Sequence, residues 1–426
     1  MINESRVELG LPKSRTASQS NLIIEVEKGA GFWSSYLNLV KSIMGAGMLS
    51  LPFALSIVGL LPGLTMLAIA TAMSTFGIYL LVISLQGAGR SASFGSLAMM
   101  TYPRIALFFE AVVVVKCLGV LVSYLGIASN FIPAIIASLF PGAPSLLLSQ
   151  RTWCLLVAAL ISPITFMPRI DSLKYTSFLG LLSIAYITTL AVVMYFLDGL
   201  NMNRIYLFAP FKLASFRAFS IFVFALTCHQ NIPAIQNEAK DQRPSAMMGI
   251  VSAGVGTAVA IYLIFALATF ALFGNTSPDN AINAFPKTSV PFILARLLYA
   301  FLMIFSLPLQ TYPCRTAGIR FAELVSPSFS QSNSRRLFWI ISASILAFTT
   351  LLSLLNLPLG LMLGFVGGTT GPIICFILPG LIHNKLCQQA GTWPRTRIAA
   401  LTLVALGIFV MAISVTSQVY SALGKL

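Results

Sequence analysis

The chain alternates between apolar stretches of about 20 residues and short polar connections, and this pattern leaves few ways to fold it. A helix of about 20 residues covers the ~30 Å hydrocarbon core of a bilayer. Eleven candidate spans follow, at about 33–57, 60–86, 106–130, 151–168, 174–197, 216–236, 248–273, 289–312, 336–356, 358–382 and 397–423. The second and third are long for a single crossing and predict tilt. Composition agrees, with 57% hydrophobic and 9% charged residues, where a soluble chain carries roughly a quarter charged. The predicted class is an all-α integral membrane protein of about 11 transmembrane helices.

A net charge of +15 could suggest nucleic acid, but the cations are scattered through short connections with no basic tract. The predicted surroundings are the lipid bilayer. Residues 1–30 lack the apolar core and cleavage site of a signal peptide, and 1–31 read as a mostly disordered cytosolic tail. Within it, Arg15-Thr16-Ala17-Ser18 is open to phosphorylation or is plain disorder. The six cysteines (Cys117, Cys154, Cys228, Cys314, Cys375 and Cys387) have no CxxC spacing and predict buried small hydrophobes, with no disulfide framework or metal site.

With the amino terminus in the cytosol, connections on that side hold roughly 17 Lys and Arg against 6 on the other, as the positive-inside rule requires. Asn275-Thr276-Ser277 then falls on the far side as a glycosylation sequon. An odd number of spans leaves the carboxyl terminus lumenal or extracellular.

Two spans contain faults. In the first, Gly45-Ala46-Gly47 interrupts "NLVKSIMGAGMLSLPFAL"; in the sixth, an apolar run meets Thr227-Cys228-His229-Gln230-Asn231 and Pro233. These residues are weak helix formers, compete for backbone hydrogen bonds or, at proline, remove a donor. The faults stand about 180 residues apart, and each opens a group of five spans. Five is odd, so the groups insert with opposite orientation, the pattern of a transporter built from inverted repeats. Backbone freed at membrane depth is tolerated where it lines a cavity. Freed amides attract a carboxylate and freed carbonyls an ammonium or metal cation, so two facing faults suit an amino acid. A small-residue packing face is the alternative reading of Gly45-Ala46-Gly47.

At these residues the sequence resembles the amino acid/auxin permease family. The pieces are "NLVKSIMGAGMLSLPFAL" (38–55), "VVVKCLGVLVSYLG" (113–126), "FVFALTCHQNIPAIQNE" (222–238), "SLPLQTYPCR" (306–315) and "GFVGGTTGPIICFILPGL" (364–381). Within the family, the third-span piece and the short tail look most similar to fungal vacuolar amino acid transporters. The resemblance implies the leucine-transporter-type fold of five-plus-five inverted repeats: repeats over 32–197 and 198–383, then a loop and eleventh helix over 384–426. It implies that Gly45, Ala46 and Gly47 offer amides to the substrate carboxylate. Ala225, Leu226, Thr227 and Cys228 would offer carbonyls to the amino group. Ser306, with carbonyls around Ile43, matches a possible sodium site. Pro233 departs from the pattern and shifts where the sixth span resumes.

Ionisable groups at membrane depth are functional candidates because they are costly there. Lys41 reads as a gate, a substitute for a coupling cation, or a side chain snorkelling to the cytosol. Lys116 lies deep in the third span, sharing a face with Gly119 and Ser123 and close to Tyr124, and could contact substrate, replace sodium's charge or be structural. Glu110 is six residues away from it and on another face. Arg296 reads as a snorkelling or gate residue. His229 could carry a coupling proton or fix the sixth-span break. The glycine-rich run of the tenth span predicts close helix approach, since it lacks the ending of a nucleotide loop.

The expected activity is alternating-access transport of small amino acids, proton-coupled, at a vacuolar or lysosomal membrane with export into the cytosol, and with no cofactor. A sodium symporter at the plasma membrane, an amino acid sensor and a membrane-embedded enzyme are the alternatives. No intramembrane acid pair or metal cluster supports the enzyme.

Overall fold

The computed structural model describes residues 29–86, 92–167, 174–198, 205–327, 333–393 and 395–422, with side chains of 174–178 and 421–422 left aside. The segment Arg15–Ser18 and most of the expected tail lie outside the described residues. All elements longer than one bridge are helical, among the described residues. Among the described residues, nine helices are long and apolar enough to cross a membrane, and the bent pair Phe32–Ile43 and Ala46–Val58 makes a tenth. The fourth of the eleven expected spans is Gln150–Thr165, whose 16 residues reach about 24 Å at 1.5 Å per residue and fall short of the core alone.

The third and eighth spans correct the expected boundaries. They run over Ala106–Leu139 and Val290–Val325, 34 and 36 residues, or about 51 and 54 Å. They pack against each other along much of their lengths and form the axis of the molecule. They occupy matching places in the two groups of five. Pro133 lies inside one, and Pro308 and Pro313 inside the other. Such prolines persist in membrane helices because neighbours and local adjustment satisfy the backbone they free.

Both expected faults are breaks in helix geometry. The first span stops at Ile43, passes through Met44 and Gly45, tightens into a 3₁₀ turn over Ala46–Ser50, and resumes over Leu51–Val58, the two halves meeting at 43°. The sixth span is helical over Ser215–Ala225, opens at Leu226–Cys228, and resumes over Ile232–Glu238 after a 3₁₀ turn at His229–Asn231. Pro233 falls in the first turn of the resumed helix, where its missing N–H costs nothing. The tenth span is interrupted at Thr369 and carries a π-helical turn over Ile373–Ile377. Its glycines do allow close approach: a Cβ at Gly368 would sit 2.8 Å from both Ser220 Oγ and Ser414 Cβ.

Arg296 neither snorkels nor faces a gate. It is 2% exposed, and its guanidinium donates to the carbonyls of Pro286 (3.1 Å), Phe292 (3.4 Å), Ile282 (3.2 Å) and Phe285 (2.9 Å), clamping the 7–8 connection onto the eighth span. Arg315, counted above among loop cations, is also buried within the eighth helix. It donates to the Thr165 carbonyl at 2.8 Å and the Met167 carbonyl at 3.2 Å, closing the end of the fourth helix.

Candidate functional site

The two breaks face each other. A Cβ on Gly47 would lie 2.8 Å from Cα and Cβ of Ala225, and one on Gly45 would lie 2.6 Å from the Tyr124 hydroxyl. Glycine is therefore needed here for close approach, and any larger residue would push the broken helices apart. The contact closes one wall of a cavity of about 300 Å³ with clear room for little more than a water molecule. Gly45, Ala46, Gly47 and Ile43 line it from the first span, Phe224, Ala225 and Thr227 from the sixth. Lys116, Val120 and Tyr124 line it from the third. They recur at every fourth position, on one helical face.

The break supplies the free backbone. The amides of Gly45, Ala46 and Gly47 donate to no backbone carbonyl, and the carbonyls of Leu226 and Thr227 receive no backbone N–H, among the described residues. Other freed carbonyls have partners. The Tyr262 hydroxyl lies 2.7 Å from the Ile43 carbonyl and 3.1 Å from that of Ala225, and its single proton serves one at a time. The Tyr299 hydroxyl donates to the Gly45 carbonyl at 2.9 Å. Two tyrosines from the seventh and eighth spans thus hold the first-span break open and tie it to the sixth.

Lys116 is 2% exposed in the cavity wall. No hydrogen bond or ion pair reaches it among the described residues. A buried, unpaired ammonium is costly, and the cavity is where a counter-charge could enter. Gly119 and Ser123, expected on the same face, turn elsewhere: Gly119 packs on Val366, and Ser123 donates back to the Gly119 carbonyl at 2.9 Å.

Several expected residues stand apart from the cavity. Leu226 and Cys228 are buried in the sixth-span break without lining it. Ser306 donates to the Leu302 carbonyl of its own helix at 2.7 Å and does not line it. Lys41 occupies the last turn of the first half-helix, partly buried, one residue before the lining begins at Ser42. His229 is fully buried, its Nε2 3.1 Å from the Ser74 carbonyl, so it pins the break to the second span; its Nδ1 has no partner among the described residues. Glu110 pairs with Arg320 at 3.9 Å, and Arg320 also donates to the Ser93 hydroxyl at 2.5 Å. Asn275 is half-buried in the turn Gly274–Thr276. Gln310, within the eighth-span motif, lines the cavity with a buried carbonyl oxygen that meets no partner among the described residues. A mid-span glutamine in an apolar run was the signal for it.

Above this site a second cavity of about 830 Å³ opens on the face where the 7–8 connection lies, lined by Asn130, Asp279, Asn280, Asn283 and Asn356 among others. The opposite face is tied shut. Ala30 N–H donates to the Glu238 carbonyl at 2.7 Å and Lys240 N–H to the Ala30 carbonyl at 2.9 Å. Asn237 donates to the Ala92 carbonyl at 2.7 Å.

Paired broken helices around a midplane cavity define a membrane transporter of the leucine-transporter-type fold. The solved structure of MhsT in complex with L-phenylalanine matches it with a TM-score of 0.58 over 90% of this chain and 98% of that one, at 11% identity. Residues 28–420 match the family described as transmembrane amino acid transporter protein, and the chain belongs to that family. Among relatives, vacuolar amino acid transporter 5 of Schizosaccharomyces pombe is 32% identical, covering 89% of this chain and 91% of that one. Vacuolar amino acid transporter 5 of Saccharomyces cerevisiae is 29% identical over 92% and 97%. The family is one of transporters, and the enzyme alternative falls with that.

Proposed function

We propose that this protein carries amino acids across a vacuolar or lysosomal membrane, coupled to protons and directed toward the cytosol, by alternating access around the cavity between the two breaks. The amides of Gly45, Ala46 and Gly47 receive the substrate carboxylate, and the carbonyls of Leu226 and Thr227 receive its ammonium. Tyr124 and Gln310 border the side chain. The repeats run over 32–197 and 198–383, with the amino terminus in the cytosol. The vacuolar relatives support the membrane assigned here.

The observation that carries the coupling is Lys116. It fixes a cation in the cavity wall without a protein counter-ion, and its proton is the exchangeable charge a metal ion would otherwise bring. The sodium reading is the weaker one, because Ser306 stands outside the cavity lining and donates to its own helix. His229 serves to hold the sixth-span break against the second span.

Purified protein in proteoliposomes tests this. Uptake should rise with an imposed proton gradient and stay flat with a sodium gradient. A response to sodium alone restores the symporter reading, and exchange indifferent to both gradients removes coupling altogether. Saturable binding with no flux of any kind marks a sensor.

A further inference from the structure

The Tyr262 hydroxyl has one proton to give and two carbonyls to give it to. Tyr262 is fully buried in the seventh span, 2.7 Å from the Ile43 carbonyl and 3.1 Å from that of Ala225. The first carbonyl ends the helix before the break in the first span, and the second does so in the sixth. Neither receives a backbone N–H among the described residues, and both residues line the cavity between the breaks. One of the two is therefore always short of a donor, and a buried acceptor in that state is costly. Tyr299 faces no such choice, since its hydroxyl meets the Gly45 carbonyl alone, at 2.9 Å.

We infer that the substrate ammonium supplies the missing donor, and that Tyr262 is a positioning residue coupling a filled site to the joining of the two broken helices. The inference rests on the transport reading given above. An ammonium carries three N–H groups. The carbonyls of Leu226 and Thr227 take two, and the third serves whichever of the Ile43 and Ala225 carbonyls Tyr262 leaves. With the site empty, the hydroxyl holds one broken helix or the other. With an amino acid bound, both are held at once, by one hydroxyl and one ammonium. The backbones already touch here, since a Cβ on Gly47 would lie 2.8 Å from the Ala225 Cα, so the join needs no large approach. Two breaks tied in this way move as one body around the site, and only when it is filled.

The test measures exchange by the full chain in proteoliposomes. Its probes are a tritiated mixture of primary α-amino acids and the same mixture methylated once on the α-nitrogen, which leaves two N–H groups. For the unmodified protein, methylation should lower maximal exchange and raise half-saturation, each about tenfold, the scale of one hydrogen bond to a charged group. Tyr262→Phe, which keeps the ring, should lower maximal exchange of the parent mixture about tenfold. Its half-saturation should stay within twofold, because the third N–H still gains a carbonyl. Methylation should then cost the variant no further rate, the mark of two changes that break one link. Thermal unfolding checks that the variant folds; if it does not, the methylation result on the unmodified protein still decides. Losses of rate that multiply overturn the inference, as does a half-saturation that rises with the variant's loss of rate. Undiminished exchange of the methylated mixture overturns it too. No exchange of either mixture by the unmodified protein would instead overturn the transport reading itself.

Discussion

Lys116 is the residue on which the transport reading turns, and its surroundings make the prediction sharp. It stands in a wall otherwise made of glycine and alanine, the apolar side chains of Ile43, Val120 and Phe224, and the neutral polar groups of Ser42, Tyr124, Thr227 and Gln310. Replacing it with methionine keeps length and packing while removing the one charged side chain of the cavity lining among the described residues. A buried charge without a partner destabilises the fold, so Lys116→Met should unfold at the same temperature or higher. Substrate exchange should nevertheless fall at least tenfold, the effect of losing one charge-assisted contact. Thermal unfolding in detergent and counterflow in vesicles separate the two effects; lost exchange together with lost stability would make Lys116 structural. At this scale the sequence was readable where a residue type is anomalous. Glycines and a lysine inside apolar spans announce themselves. Tyr262 and Tyr299 do not, because tyrosine is ordinary in such helices, and only the fold reveals that their hydroxyls meet the freed carbonyls of the first and sixth spans.

Among elements, hydropathy located the helices and misjudged their ends. The third helix continues through Pro133, and the eighth through Pro313, Arg315 and Arg320. Each of those residues is a local signal to stop, overruled by packing against the neighbouring helices. The same limit hid the role of Arg296. Its depth in the span was legible, but its acceptors lie in the 7–8 connection, whose path depends on the tertiary fold. That connection holds Asp279, whose carboxylate accepts from the Gly360 N–H at 3.0 Å and whose carbonyl accepts from Ser50 at 2.5 Å. One loop, anchored by Arg296, thereby joins the eighth span to the first and tenth. Arg296→Met should leave buried carbonyls without donors, costing about 1–3 kcal/mol for each that finds no other partner. A shift of the unfolding midpoint by several degrees would register it. An unchanged midpoint would mean that the loop is held by Phe285, whose ring meets Phe273 of the seventh span edge-on and stacks on Phe292 of the eighth.

The whole molecule is asymmetric across the membrane. Polar residues open one face toward the site, while backbone pairing at Ala30 and Ala239 and the Glu110–Arg320 pair tie the other. Alternating access needs both arrangements to exist within a few kcal/mol of each other. The closed face is held by few contacts: two backbone hydrogen bonds, the Asn237–Ala92 hydrogen bond and a long ion pair, 3.9 Å, between buried Glu110 and partly exposed Arg320. Orientation connects this asymmetry to the cell. The excess of Lys and Arg on the amino-terminal side would put the closed face in the cytosol by the positive-inside rule. The open cavity would then face the lumen. All six native cysteines are buried, so a cysteine placed in the open cavity reports cleanly. Asn283→Cys, in the lining of that cavity, should resist a membrane-impermeant maleimide added to sealed, cytosol-side-out vesicles. It should react once the vesicles are permeabilised. Immediate reaction in sealed vesicles would mean that the cavity opens to the cytosol, and would overturn the orientation assigned from the excess of Lys and Arg.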